Sequence, residues 1–196
     1  MGDNGETLWE VFVVDIPEEV TYASPDGPLE GTLSKRPTPP LGTKQRRLTR
    51  TEHRKYPGIQ GPRHWLRSCP DGSQIAFLMR DDSGAAQLWT VSPLGGDPRQ
   101  ITLDHWGVAS AFTWSPDGQH IAYAADNSIF TVEATTSVSR RLTPRSSDAD
   151  APSPLACVFS PDGSKIAFLR GNQICVVTTL SSKISATGSG MLLSTP

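Results

Sequence analysis

The sequence predicts an all-β fold: a β-propeller segment of about three and a half four-stranded antiparallel blades, part of a larger ring. Three observations predict it. Pro-Asp-Gly recurs in a fixed context, as Cys69-Pro-Asp-Gly-Ser-Gln-Ile-Ala-Phe, Ser115-Pro-Asp-Gly-Gln-His-Ile-Ala-Tyr and Ser160-Pro-Asp-Gly-Ser-Lys-Ile-Ala-Phe, with Asp71, Asp117 and Asp162 spaced 46 and then 45 residues apart. A second element, Arg-Arg-Leu-Thr or Arg-Gln-Ile-Thr, starts at Arg46, Arg99 and Arg140 and keeps constant order with the first. Together they define a unit of about 45 residues, the length of a four-stranded blade. Finally, 17 Gly and 17 Pro among 196 residues interrupt the chain too often for long helices, and no helix-length pattern lies between the motifs.

Within one unit, 65–68, Ile75–Arg80, Leu88–Ser92 and Arg99–Thr102 are β-prone runs separated by Gly, Pro, Asp and Ser. Pro-Asp-Gly joins the first two: proline pre-sets φ, aspartate bonds the local backbone, and glycine accepts a positive φ. Asp71, Gly72, Asp117, Gly118, Asp162 and Gly163 are therefore turn residues. The second strand, Ile-Ala-Phe-Leu-Met from Ile75, is apolar on both faces, as expected of a sheet sandwiched between two neighbours. Gly95 and Gly96 mark the hairpin between the third and fourth strands, not a phosphate loop, because no helix follows.

Taken in order, 1–49 form a partial first blade. Its third strand is Leu8–Asp15, its long Pro-rich loop is 18–42 and its fourth strand is Gln45–Thr49. Ser24-Pro-Asp-Gly has the repeat spacing, but no Ile-Ala-Phe strand follows it. Residues 50–102 supply a basic inter-blade loop and the second blade, 103–143 the third, and 144–180 an incomplete last blade. The Ser-, Thr- and Gly-rich tail 181–196 reads as disordered. Trp65, Trp89 and Trp114 fall on strands and read as packing residues, and Cys157 and Cys175 read as buried small hydrophobes. His120, just after a turn, reads as exposed.

Composition narrows the function classes. A formal charge of −2 with 19% charged residues suits a folded soluble domain. No apolar run reaches the length of a membrane span, and Met1–Glu10 lacks the features of a signal peptide, so the chain as written is expected to be cytoplasmic, or periplasmic if its start is truncated. Three cysteines without a CxxC pair indicate neither a disulfide framework nor a cysteine zinc site. There is no nucleic-acid-binding motif and no Gly-x-Ser-x-Gly elbow, and Gly188-Ser-Gly lies in the weak tail.

The near-neutral total conceals a segregation. The first thirty residues carry eight acids and no Lys or Arg, whereas Lys44–Arg67 holds eight basic residues against Glu52. Arg54, Tyr56, Arg63, Trp65 and Arg67 in this inter-blade segment are the candidate ligand-binding residues. Guanidinium groups and aromatic faces together suit a protein or an anionic polymer. Against this, Arg46 and Arg47 belong to a strand motif repeated at Arg140 and Arg141. His53 and His64 in the same loop, with His105 of the next connection, are candidate ligands for a divalent metal if they converge on one ring face.

The unit Ser-Pro-Asp-Gly-x-x-Ile-Ala-Phe, then Gln87-Leu-Trp-Thr-Val, then Gly95-Gly-Asp-Pro-Arg-Gln-Ile-Thr resembles the WD40-like repeat of TolB-type β-propellers over roughly Arg46 to Thr179. Pro28-Leu-Glu-Gly-Thr, Gln45-Arg-Arg-Leu-Thr, His53-Arg, Tyr56-Pro-Gly, Pro62-Arg-His-Trp and Ile75-Ala-Phe-Leu-Met-Arg-Asp-Asp further resemble the C-terminal half of a functionally uncharacterised bacterial family of TolB-like propellers, whose members have more blades upstream. The resemblance implies a truncated or split gene product, a remnant without independent activity, or a homodimer associating through open blade edges. It implies a non-enzymatic scaffold binding a protein or polyanion through Lys44–Arg67. Oligogalacturonate lyases, also TolB-like propellers, imply the alternative: a metal-dependent lyase on uronate oligosaccharides, with manganese held by His53, His64 and His105. TolB's own periplasmic role has no counterpart among these residues, and prolyl-oligopeptidase chemistry would need a second domain.

Overall fold

The computed structural model describes residues 7–61, 66–155 and 157–179. Strands β1 (Phe12–Asp15) and β2 (Lys44–Arg47) form a two-stranded antiparallel sheet, with Phe12 opposite Arg47 and Asp15 opposite Lys44. The second blade is β3 (Arg67–Ser68), β4 (Ile75–Arg80), β5 (Ala86–Val91) and β6 (Arg99–Gln100), paired in chain order. The third is β7 (Thr113–Trp114), β8 (His120–Ala125), β9 (Ser128–Glu133) and β10 (Ser139–Arg141). The last described sheet has β11 (Val158–Phe159), β12 (Lys165–Arg170) and β13 (Gln173–Thr178). Every pairing joins strands adjacent in sequence and antiparallel, the meander of a propeller blade.

The turns form as their residues dictate. The Gly72, Gly118 and Gly163 N–H groups donate to the carbonyls of Cys69, Ser115 and Ser160 at 2.8, 2.9 and 2.8 Å, and all three glycines have φ between 70° and 73°. Oδ1 of Asp71, Asp117 and Asp162 accepts the N–H two residues on, from Ser73, Gln119 and Ser164. Ser24-Pro-Asp-Gly closes a turn as well, with Gly27 N–H on the Ser24 carbonyl, but no strand follows. Instead the 18–42 loop folds on itself, through an isolated bridge between Ala23 and Pro40 and the Thr38 N–H on the Pro28 carbonyl. Gly95 and Gly96, both at positive φ, lie between β5 and β6.

The repeated threonine has an architectural task. Oγ1 of Thr49, Thr102 and Thr143 accepts the backbone N–H of Val11, Leu88 and Ile129 at 2.8, 2.9 and 3.0 Å. Each side chain thus extends the third-to-fourth strand ladder past the end of a short fourth strand. In the second blade Thr102 also donates to the buried Gln87 Oε1 at 2.5 Å.

Apolar residues on successive strand positions separate into three seams. From β4, Phe77 and Met79 pack with Val11, Leu48, Ile59, Trp89 and Val91 toward the first blade. Ala76 and Leu78 face the other way, joining Leu88, Phe112, Ile121 and Tyr123 between the second and third blades. From β8, Ala122 and Ala124 meet Ile129, Cys157, Ile166 and Phe168 toward the last sheet. Trp89 and Trp114 are buried, and their indole N–H groups donate to the carbonyls of Met79 and Arg67 at 3.0 Å each. Two readings are corrected. Cys157 is buried but Cys175 is only half-buried, because β13 is covered on one face alone, and His120 is half-buried rather than exposed.

Candidate functional site

The connections between blades and the turns after each second strand gather at one end of the strands. Here the loop after β2 lies over the turn between β4 and β5. Arg54 lays its guanidinium over the Trp89 ring, 4.7 Å from the ring centre, and donates through Nη2 to the Arg80 carbonyl at 3.2 Å. Its Nε is buried without a hydrogen-bond partner. Lys55 Nζ donates to the Asp82 carbonyl at 3.1 Å and stands 5.2 Å from the Tyr56 ring. Arg80 approaches the same ring at 5.9 Å. The phenol end of Tyr56 lies against Gly84, where a Cβ would come within 3.2 Å of the phenol oxygen, so glycine at φ 92° is what lets the ring approach.

The structure brings Arg54 and Tyr56 together and leaves Arg67 apart from them. Arg67 stands opposite Ala76, near the start of β4, whereas Arg54 sits at Arg80, its end. Four strand residues separate the two positions, roughly 13 Å. Arg63 and Trp65 fall outside the described residues, as does His64.

Two of the basic residues of 44–67, Arg46 and Arg47, are already matched. Arg46 makes two hydrogen bonds to the Asp15 carboxylate, at 2.6 and 2.9 Å. Arg47 bridges Glu10 at 2.9 Å and Glu52 at 2.6 Å. Glu10 Oε1 also accepts the Thr51 N–H and hydroxyl at 2.9 and 2.7 Å, and Oε2 accepts the Thr49 hydroxyl. Burial pushes the Glu10 carboxyl up, but these donors outweigh it and hold it below the ordinary carboxylate value. The acidic N-terminal region and the basic segment that follows thus meet in space as partners across one small sheet. Sequence reasoning missed this network, although the recurring threonine was its visible trace.

A second stack follows at the next connection. Arg141 lies 4.7 Å from the Phe130 ring centre and 5.6 Å from that of Trp106, and bonds Asp126 at 2.5 Å. Arg145 reaches Asp126 at 2.8 Å. The Arg141 hydrogen bond is the main cause that lowers the Asp126 carboxyl from its ordinary value. His105 packs edge-on against Trp106, ring centres 4.3 Å apart, with its side chain exposed. His53 is exposed on the preceding connection. Among the described residues no three His, Cys, Asp or Glu side chains gather as a metal would need, and His64, the third expected ligand, lies outside them.

Comparison with known proteins follows the same lines. The family described as the dipeptidyl peptidase IV (DPP IV) N-terminal region matches residues 91–189, half of the chain. The uncharacterised protein YidR of Escherichia coli (strain K12) is 44% identical over 182 residues, covering 91% of this chain and 43% of its own length. The chain therefore spans less than half of that relative. Over 52 residues it is 42% identical to the uncharacterised peptidase YuxL of Bacillus subtilis (strain 168), 26% of this chain and 8% of that one. Among solved structures, a TolB described as putative from Agrobacterium tumefaciens superposes with a TM-score of 0.50 at 20% identity, covering 85% of this chain and 57% of that one. An oligogalacturonate lyase from Vibrio parahaemolyticus does so with 0.50 at 12% identity, covering 82% and 36%. At such identities the likeness is one of fold.

Proposed function

Because the chain belongs to the family of the dipeptidyl peptidase IV N-terminal region and has a TolB-like propeller fold, we propose that it acts as a non-enzymatic scaffold whose connection face binds a protein or polyanionic partner. The observation that carries this reading is the cluster of Arg54, Lys55 and Arg80 around Trp89 and Tyr56. Rings beneath the cations hold them in place, and a guanidinium fixed in this way loses less conformational freedom when it meets a carboxylate. The carboxylate nearest Arg54 is that of Asp82, 4.0 Å away and almost wholly in solvent, too loose a pair to quench the site. Arg46 and Arg47, matched by Asp15, Glu10 and Glu52, belong to the frame rather than to the binding surface.

The uronate-lyase alternative draws on His53 and His105, both exposed on the inter-blade connections, and has no comparable cluster of contacts among the described residues to favour it. The scaffold reading is tested with polyglutamate and polygalacturonate as probes. Lys55→Glu with Arg80→Glu should weaken binding by about tenfold and flatten its dependence on salt. Arg54 stays in place because it packs on Trp89. Binding of neither probe, or equal affinity in the double variant, refutes the assignment.

A further inference from the structure

The opposite end of the strands carries a feature with no part in that reading. Between the third blade and the last sheet lies a cleft of about 660 Å³, lined among others by Asp117, His120, Thr131, Glu133, Phe159 and Asp162. That volume is within the range of roughly 300–1,000 Å³ typical of small-molecule sites. The corresponding seam between the second and third blades is closed. There Cys69 Sγ sits 3.7 Å from the Gly118 carbonyl, and a Cβ on Gly118 would fall 2.7 Å from that sulfur. Arg99 crosses the same seam to Ser137 Oγ at 3.1 Å and to the Ala134 carbonyl.

One turn further round, serine replaces cysteine and the contact is lost. Ser115 Oγ bends back into its own turn, donating to Asp117 Oδ1 at 2.5 Å and accepting the His120 N–H at 2.9 Å. Gly163 has only Pro116 nearby, 3.7 Å from where its Cβ would be. The two seams carry equivalent threonines: Thr90 pairs with Ala76 and Arg99, Thr131 with Ala122 and Arg140. In the closed seam Thr90 Oγ1 is sealed off without a partner. Thr131, 7% exposed, lines the open cleft, and its hydroxyl has no hydrogen-bond partner among the described residues. A largely buried threonine in the wall of a cavity, its hydroxyl without a protein partner, is suited to a ligand.

The lining also has unused acceptor capacity. Asp117 spends Oδ1 on its turn, and Glu133 accepts the Thr136 hydroxyl through Oε2 at 2.6 Å, leaving Asp117 Oδ2 and Glu133 Oε1 available. Asp117, Glu133 and Asp162 outnumber Arg140 and His120 among the ionisable lining residues. We propose that this cleft binds a small organic cation, an ammonium or guanidinium group, between Glu133 and Asp117 with Thr131 as a third contact and Phe159 as an apolar wall. The same head group occurs on free amines and on lysine or arginine side chains, so the test uses both sources.

Calorimetry on the full chain with agmatine, and separately with an acetylated, amidated arginine dipeptide, supplies the two arms. Saturable binding of agmatine assigns the cleft to a free amine, and binding of the dipeptide alone assigns it to a peptide side chain. In either case Glu133→Gln should weaken it by about tenfold, and Thr131→Val by a smaller factor without changing thermal stability. Thr131→Val keeps the side-chain shape, so it reads out the site even if the charge variant folds poorly. Failure of both probes to bind, or affinity unchanged in Thr131→Val and Glu133→Gln, overturns the proposal.

Discussion

Glu10 illustrates how much a single side chain carries in this molecule. Its carboxylate gathers Arg47, the Thr49 hydroxyl, and the Thr51 hydroxyl and N–H, tying the segment before β1 to the segment after β2. Thr51 Oγ1 in turn accepts the Gly58 N–H at 2.6 Å, so the same network anchors the loop that presents Arg54 and Tyr56. Glu10→Gln replaces one acceptor oxygen with a donor facing other donors. It should cost about 2 kcal/mol, less than loss of a fully buried pair because Glu52 still holds Arg47. A urea titration checks this: the midpoint falls with the slope unchanged, and an unmoved midpoint would show the network to be incidental.

At the scale of the element, the Pro-Asp-Gly turns set each blade's register and also its response to acid. The Ser73 N–H is the main cause holding the Asp71 carboxyl down at about 2, and the Ser160 hydroxyl is the main cause for Asp162, also at about 2. Asp117 is lowered in the same way, chiefly by the Ser115 hydroxyl. A carboxyl whose folded value lies below its unfolded value of about 3.9 binds protons more readily when unfolded. Its stabilisation is therefore complete above that unfolded value and is lost as pH falls through about 2. Melting temperatures taken down through this window should fall for the native chain. The decline should be shallower for Asp71→Asn with Asp162→Asn, which keeps the turn acceptor but cannot titrate. Parallel declines would place the acid response elsewhere.

For the whole molecule, the consequential surfaces are the two outermost sheets. β1 turns Val13 into the seam but leaves Phe12 and Val14 about half exposed, with Ile16 beyond them at 68%. β13 leaves Ile174 at 76% and Val176 at 60% exposed. Elsewhere each sheet is covered on both faces, so these two stand out as faces that propeller packing would cover. We expect the chain to associate through them, whether with further blades or with a second copy. Light scattering on the eluted peak should show a dimer or larger species that Phe12→Lys with Val176→Lys converts to monomer. A native chain that is monomeric at every concentration would exclude self-association.

The sequence by itself determined the blades, because their signals are local. Proline, aspartate and glycine at consecutive positions choose a turn, and the three copies followed by Ile-Ala-Phe or Ile-Ala-Tyr mark the three sheets after the first. The doubly apolar Ile75–Arg80 run already implied a sheet covered on both sides, and the seams around Phe77 and Leu78 bear that out. The candidate site was legible only in part. Arg54 and Tyr56 are neighbours in sequence and remain so in space, but the separation of Arg67 depends on which end of β4 it faces. Only the tertiary structure decided that Glu10 and Asp15 neutralise Arg47 and Arg46, because opposite charges some thirty residues apart meet only once β1 and β2 pair. It alone decided, too, that one seam closes on Cys69 while the next opens at Ser115. Two nearly identical turn sequences differ there by a sulfur that reaches across and a hydroxyl that turns back.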